Sequence, residues 1–221
     1  FRDEWIGYYM STDRNADDYK RKVAVALERK AVTSADYVVT VTPSWIQQIR
    51  DRHADQPEGK FLCIPNGYDP ETLRDFRSRS HGEQKIVITH MGTVYTNPVY
   101  SPRTFLQAVD SLPEEIRSKM EVRFVGRVEP EELLFMRSFH PGPKLFGFMP
   151  QAEAFRQMED SDYLLLIVND PRAHAGKLFE YMATGKPILA ITQEGGEIAR
   201  VLKETGAGVC VDAGSVPKIQ S

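Results

Sequence analysis

Apolar and polar positions alternate between two periods along most of the chain. Residues 14–34 place Val23, Leu27 and Ala31 at helical spacing among lysines and arginines, which predicts an amphipathic helix. The β-branched run 37–41 predicts a strand. A short helix from Pro43 to about Asp51 and a strand at 61–64 follow. The first third of the chain is therefore predicted to form a helix, a strand, a second helix and a second strand.

A second and longer series begins after the polar stretch 74–84. Its predicted strands are 86–91, 122–125, 144–146, 163–168, 187–191 and 208–211, and its predicted helices are 104–112, 129–139, 151–159, 176–184 and 197–205. Residues 163–168 are apolar throughout, as expected for a strand that is buried on both faces. Regular alternation of strands and helices predicts an α/β fold with a parallel sheet and helices on both faces.

Composition narrows the function classes. The 221 residues include 28 basic and 31 acidic side chains, a net charge of −3, and 41% are apolar. Nothing here resembles a disordered or collagen-like chain, and no basic excess indicates nucleic acid or an anionic membrane. No window approaches the roughly 20 apolar residues that a membrane-spanning helix needs. Two distant cysteines, Cys63 and Cys210, favour a reducing compartment over a disulfide framework.

Length and turn composition suggest more than one domain. At about 150 residues per domain the chain corresponds to roughly one and a half domains, and the polar stretch places a boundary near residue 70. We therefore expect one part over residues 1–69 and a second over 70–221. The chain opens on Phe1 and stops without a closing helix, so we expect it to be a piece of a longer protein.

Candidate chemistry lies where the strands of the second part end. Ligands of open parallel sheets bind at the carboxyl ends of the strands. Three strands there are followed directly by a glycine, namely Gly92, Gly126 and Gly147. A glycine at such a position allows the backbone to approach a ligand closely, although each one alone could simply make a tight turn.

The segment 169–190 is the most informative. A polar loop leads into a helix near Gly176, whose free N–H groups and dipole favour an anion. Lys177 adds a positive charge, and Glu180 shares its face three residues later. This spacing fits a pyrophosphate at the helix start with a ribose near Glu180. An exposed ion pair between the two side chains is the alternative.

Four stretches carry a resemblance to a known family. Residues 177–187, KLFEYMATGKP, resemble the donor-site helix of family 4 retaining glycosyltransferases, which have the GT-B fold. Residues 34–42 resemble the late strand of the N-terminal domain of that family, 64–69 its interdomain linker, and 2–5 an acceptor-domain loop of one subgroup. The resemblance implies a GT-B, Rossmann-like, doubly wound donor domain at 70–221. Residues 1–69 would then be the remainder of the acceptor-side domain and the linker.

The same resemblance implies how a nucleoside diphosphate sugar would bind. Lys177 and Leu178 would lie under the pyrophosphate, mainly through backbone amides. Gly92 and Thr93 would face the donor phosphates, and Arg127 would neutralise phosphate charge.

The nucleoside would bind along two further segments. Glu180 would accept hydrogen bonds from the ribose hydroxyls, while Phe148 and Met149 would lie along the base. The base itself is left open, as are the sugar, the acceptor and the oligomeric state.

Two positions depart from the family pattern. Arg172 stands where many members carry a second glutamate, which leaves the identity of the sugar open. Residues 94–98, VYTNP, replace the usual arginine and lysine after the first donor-domain strand. His174 could then assist near the phosphates. The catalytic residues are unknown because the front of the acceptor domain is missing.

One tempting motif is interpreted as structural. Asp160-Ser161-Asp162 matches the Asp-x-Asp pattern by which other glycosyltransferases hold a divalent metal, but it precedes the strand 163–168, at the amino edge of the sheet. The five histidines show no ligand spacing. We therefore expect neither a metal nor another cofactor.

The sequence thus predicts a metal-independent, retaining glycosyltransferase whose acceptor is a glycan or lipid. The expected location is cytoplasmic, with peripheral contact to the inner face of a membrane left open, and the fragment alone is expected to turn over little. Two alternatives remain: a nucleotide-sugar 2-epimerase of the same fold, and a non-catalytic nucleotide- or sugar-binding module.

Overall fold

The chain forms two compact units. The structure, a computed structural model, describes residue 6, residues 17–82 and residues 85–212. The first unit comprises Phe1–Asn66 together with Arg172–His174, and the second comprises Gly67–Pro171 and Ala175–Ser221. The division after Asn66 lies close to the boundary expected at residue 70. The segment at 2–5, which resembles an acceptor-domain loop, lies outside the described residues.

The first unit pairs two helices with two short strands. Its elements are α1 (Asp18–Ser34), β1 (Val38–Thr40), α2 (Pro43–Arg52) and β2 (Phe61–Cys63). The strands pair in parallel, with Val38 opposite Phe61, and α2 connects them. A small apolar cluster holds the unit together and consists of Val32, Val38, Ile49 and Phe61.

Helix α1 buries a different face from the one that the pattern suggested. Val23 and Leu27 are 39% and 46% exposed, whereas Ala24, Glu28 and Val32 are buried. Glu28 lies on the buried face with Ala24 and Val32, where its carboxylate accepts hydrogen bonds from Arg52 and contacts the His53 ring. A polar side chain with such partners can occupy a buried position, so the apolar stripe alone gave the wrong face.

The second unit alternates strands and helices as predicted. In chain order its elements are β3 (Ile86–Met91), α3 (Arg103–Asp110), α4 (Glu114–Arg117), β4 (Met120–Val125), α5 (Pro130–Met136), β5 (Lys144–Gly147), α6 (Gln151–Glu159), β6 (Tyr163–Ile167), α7 (Gly176–Ala183), β7 (Ile188–Thr192), α8 (Glu197–Thr205) and β8 (Gly208–Asp212). The one-turn helix α4 and a short 3₁₀ helix at Pro70–Leu73 were not predicted from the sequence.

All six strands run in parallel in the order β5-β4-β3-β6-β7-β8. The chain first builds outward from β3 to β5 and then returns to build outward from β6 to β8. This is the doubly wound arrangement, and its direction reverses between β3 and β6. The predicted fold class is confirmed.

The core lies against the central strands. Leu164, Leu165, Leu166 and Ile167 of β6 are all buried, which confirms that this strand is covered on both faces. No helix in the described part of the chain is long and apolar enough to span a membrane.

Candidate functional site

Two glycines bring the carboxyl ends of β3 and β4 together with helix α7. Gly92 and Gly126 have φ angles of +126° and +135°, which residues with a side chain rarely adopt. A Cβ on Gly92 would overlap the Nζ of Lys177, and a Cβ on Gly126 would overlap the carbonyl of Gly92. The backbone overlap excludes a side chain at Gly126, the positive φ disfavours one at Gly92, and the ammonium of Lys177 lies directly against the end of β3.

Helix α7 begins at this place without a side-chain cap. Its N-cap residue is Ala175, which forms no capping hydrogen bond, although serine, threonine, aspartate or asparagine is usual at that position. The amide of Leu178 bonds to the carbonyl of Ala175. A helix start of this kind offers backbone N–H groups and the positive end of the helix dipole to an anion.

The charges near the helix start are only partly compensated. Burial lowers the pKa of Lys177, and the carboxylate of Glu180 acts in the opposite direction. Among the described residues no hydrogen bond or ion pair engages the Lys177 ammonium. A cation that is largely removed from water and left without a hydrogen-bonded partner is suited to receive an anionic ligand.

Two further residues shape this site and were not identified from the sequence. The hydroxyl of buried Tyr181 accepts a hydrogen bond of 2.9 Å from the amide of Met91, immediately before Gly92. Tyr181 lies four residues after Lys177, so the helical spacing was a signal that could have found it. It fixes the end of β3 from the side of α7.

His90 is the other residue that the sequence analysis missed. It is buried, and its Nδ1 lies 3.0 Å from the carbonyl oxygen of Leu165. Burial, together with the charge of Lys177, lowers the pKa of His90 to about 3. The ring is therefore neutral at pH 7, and Lys177 supplies the positive charge at this end of β3.

The residues expected to bind the base form a separate cluster. Gly147 has a φ angle of +68° and ends β5. Phe148 follows, is 75% exposed, and has the guanidinium of Arg127 5.3 Å from its ring centroid. The structure thus brings Arg127 and Phe148 together, with Met149 next in the chain. An exposed aromatic ring can stack against a flat ligand.

The other predicted site residues are placed as follows. Thr93 follows Gly92, and Leu178 is buried in α7. Arg172 and His174 belong to the first unit. His174 is buried, and its predicted role near the phosphates stays a prediction, as do the ligand roles of the other residues.

Asp162 of the Asp160-Ser161-Asp162 motif has hydrogen-bond partners within the fold, and the expected absence of a metal stays a prediction. The carboxylate of Asp162 accepts hydrogen bonds from the amides of Val87 and His81 and from the hydroxyl of Ser80. Val87 is the second residue of β3, so this cluster lies at the amino edge of the sheet. Over the described ranges no group of three or more histidine, cysteine, aspartate or glutamate side chains could hold a metal ion.

Comparison with known proteins adds the fold family. A scan against protein-family models and a search of curated proteins find no match. Among solved structures, the chain is similar to WaaG, a glycosyltransferase involved in lipopolysaccharide biosynthesis. The identity is 16% and the TM-score 0.67, over 96% of this chain and 61% of that one.

Two further solved structures are also similar to this chain. Anabaena Alr3699/HepE in complex with UDP and glucose matches at 17% identity with a TM-score of 0.65, over 93% of this chain and 56% of that one. Sucrose-phosphate synthase from Thermosynechococcus elongatus matches at 14% identity with a TM-score of 0.67, over 98% and 55%.

The fold is that of the GT-B glycosyltransferases. The chain spans 55–61% of the length of these three proteins. Fold does not by itself fix substrate or reaction, and membership of family 4 stays a prediction. The conclusion about function must therefore rest on the Gly92–Lys177 site.

Proposed function

We propose that this chain carries the donor-binding part of a glycosyltransferase that uses a nucleoside diphosphate sugar. The observation that carries the proposal is the place where Gly92, Lys177 and the uncapped start of α7 meet. It combines a close backbone approach, a cation to which no described residue forms a hydrogen bond, and a helix dipole at the point where the strand order reverses. Each of these features favours a bound diphosphate.

The proposed chemistry follows from the charge of the leaving group. When the bond from the sugar to the diphosphate breaks, negative charge develops on the phosphate oxygens. Groups that are already oriented toward that charge stabilise the transition state. Lys177 and the amides at the start of α7 provide such groups, and Tyr181 keeps the end of β3 in place beside them.

The nucleoside would extend from the diphosphate along two elements. Glu180 is partly exposed, three residues beyond Lys177 on α7, where its carboxylate can accept hydrogen bonds from the ribose hydroxyls. Phe148, with Arg127 above its ring, would stack on the base. Met149 follows Phe148 in the chain and would also contact the base.

The wider proposal concerns the longer protein. Residues 1–69 would be the remainder of an acceptor-side domain, and the acceptor would be a glycan or lipid. Transfer would retain the anomeric configuration and need no metal. The cell compartment expected is the cytoplasm. Product stereochemistry, measured by NMR on the longer protein, would test retention.

The first test is a ligand panel on the 221-residue chain. Thermal unfolding would be followed with UDP, GDP, ADP, CMP and dTDP, each with and without Mg²⁺. A ligand at 100 times its dissociation constant stabilises by about 2.7 kcal/mol. We expect one nucleoside diphosphate to raise the melting temperature equally with and without Mg²⁺. No shift with any ligand contradicts the proposal, and a shift only with Mg²⁺ contradicts its metal-independent part.

The second test determines whether Glu180 binds the ribose. Glu180→Gln removes the charge that would accept the ribose hydroxyls, and hydrogen bonds to charged groups contribute about 1.5–3 kcal/mol. We therefore expect roughly a 10- to 100-fold loss in affinity by calorimetry. Glu204→Gln, at an exposed glutamate paired with Arg200 on α8, is the matched control and should bind normally. Equal affinities of the two variants would remove Glu180 from the site.

A transfer assay separates the alternatives. A 2-epimerase would change the nucleotide sugar without an acceptor, and a binding module would leave it unchanged under all conditions. The proposal expects consumption of the nucleotide sugar by the longer protein to depend on an added glycan or lipid acceptor.

A further inference from the structure

The loop that follows β3 carries two neighbouring tyrosines. The rings of Tyr95 and Tyr100 lie 5.8 Å apart between centroids, tilted by 57°. Tyr95 is 44% exposed, and Tyr100 is partly exposed. Tyr95 stands three residues after Gly92, the residue that contacts Lys177. The pair is therefore close in the chain to the proposed diphosphate site, and Tyr95 lies in the segment 94–98 that departs from the family pattern.

The loop is fixed on the side of β4. The amide of Val94 bonds to the carbonyl of Arg127, and the amide of Glu129 bonds back to the carbonyl of Val94. The carboxylate of Glu129 also accepts a hydrogen bond of 2.7 Å from the amide of Thr96. These bonds tie residues 94–96 to the segment that follows β4.

The loop is also fixed on the side of β6. The amide of Asn169, just beyond β6, donates a 2.7 Å hydrogen bond to the carbonyl of Val99. Within the loop, Asn97 accepts from the amides of Val99 and Tyr100. Residues 94–101 therefore form an arch from the end of β4 to the end of β6, across the carboxyl end of β3.

The arch holds the two rings in place without covering them. The two rings are partly exposed on a loop that is bonded on both sides, so they are accessible to a ligand. A cavity of about 410 Å³ lies against the arch, and its lining includes Thr96, Ser101 and Asn169 but neither tyrosine. Its size is in the range of small-ligand sites.

We infer that the arch 94–101 recognises the sugar ring of the nucleotide sugar, with Tyr95 and Tyr100 as a stacking surface. A pyranose presents an apolar C–H face and a rim of hydroxyls. An aromatic ring with a polar hydroxyl matches both, and Thr96, Ser101 and Asn169 supply further polar groups. This inference rests on the proposed function, because the diphosphate must be anchored at Lys177 for its sugar to reach the arch.

The test compares each nucleotide sugar with its own nucleotide. Calorimetry would measure the affinity of the chain for UDP and UDP-glucose, UDP-galactose or UDP-N-acetylglucosamine, and for GDP and GDP-mannose. The variants are Tyr95→Ala, Tyr100→Ala and Tyr95→Phe. Tyr163→Ala is the matched control, because Tyr163 is 41% exposed at the opposite, amino end of β6.

We expect the alanine variants to weaken binding of the nucleotide sugar by a factor of roughly 2 to 10 while binding of the free nucleotide is unchanged. Tyr95→Phe, which keeps the aromatic face, should retain most of the affinity, and Tyr163→Ala should behave as the unchanged chain. An unchanged ratio of the two affinities in both alanine variants overturns the inference and leaves the proposed function standing. Failure of the unchanged chain to bind any of the nucleotides overturns the proposed function, and the inference with it.

Discussion

The two edges of the six-stranded sheet each hold a lysine that is at least partly removed from water, but with different partners. At the amino edge, Lys186 donates hydrogen bonds to the carbonyls of Arg79 and Ser161. At the carboxyl edge, no hydrogen bond or ion pair from the described residues engages Lys177. Burial lowers the pKa of both ammonium groups, so both carry a cost of removal from water. Only at the amino edge is that cost offset by hydrogen bonds within the fold.

The same contrast holds for the acceptors and helix ends. Asp162 at the amino edge is bonded to two backbone amides and a hydroxyl, while the start of α7 at the carboxyl edge has no side-chain cap. A polar cluster that is satisfied within the fold contributes to stability. The proposed function assigns the open groups at the carboxyl edge to ligand binding, whereas the groups at the amino edge have partners within the fold.

The largest effect is expected when alanine replaces one of two glycines that have a positive φ. Gly185→Ala places a side chain at a φ of +69° with no atom within 4 Å, so only the backbone conformation costs, about 1–2 kcal/mol. Gly126→Ala adds an overlap with the backbone of Gly92. We expect a larger loss of unfolding free energy in urea for Gly126→Ala, and weaker diphosphate binding. Equal losses would mean that the carboxyl edge is not as closely packed as described.

The next effect concerns Asp162. Asp162→Asn leaves one acceptor oxygen for three donors, so we expect a loss of about 1–3 kcal/mol in stability and unchanged diphosphate affinity. Asp160→Asn is the control, because the Asp160 carboxylate accepts no backbone hydrogen bond from the described residues and forms an exposed pair with Arg79, so the change should cost at most about 1 kcal/mol. Loss of a Mg²⁺-dependent gain in nucleotide binding by Asp162→Asn would instead identify a metal site.

The smallest effect is in the pH dependence. Burial alone would raise the pKa of Glu121, but hydrogen bonds from Lys144, Lys85 and Arg123 lower it from 4.5 to about 2. The stability that Glu121 contributes is therefore complete above about pH 4.5 and is lost as the pH falls toward 2. Glu121→Gln should be less stable at pH 7 and should flatten this part of the acid unfolding curve.

The control for this titration is Glu114→Gln. Glu114 forms an exposed pair with Arg117, and such pairs contribute little. If Glu114→Gln and Glu121→Gln flatten the curve alike, the three basic partners of Glu121 do not lower its pKa in solution.

Much of the second unit could be predicted because local signals agreed there. The alternation of strands and helices predicted the parallel sheet, and the apolar sequence of β6 predicted that this strand is buried. The ends of three strands were predicted from Gly92, Gly126 and Gly147. Gly185 was predicted to close α7, and it has a positive φ directly after the end of that helix. In each case the signal depends on neighbours in sequence.

What failed depended on partners that are distant in sequence. The burial of Glu28 on α1 could not be predicted from the apolar stripe, because its partners Arg52 and His53 lie 24 and 25 residues away. Tyr181 and His90 were missed for the same reason, since the amide of Met91 and the carbonyl of Leu165 are their partners. The pattern could place Lys177 on a helix start but could not show that Gly92 lies against it.

The most direct measurement is a crossed pair of lysine variants. The nucleoside diphosphate that stabilises the chain most would be titrated into Lys177→Met and Lys186→Met, and both would be unfolded in urea. We predict that Lys177→Met loses at least tenfold in affinity, since charge-assisted hydrogen bonds contribute about 1.5–3 kcal/mol, with stability unchanged or higher. Lys186→Met should lose about 1–3 kcal/mol of stability and bind normally. Normal binding by Lys177→Met, or lost binding by a stable Lys186→Met, would contradict the assignment of function to the carboxyl edge.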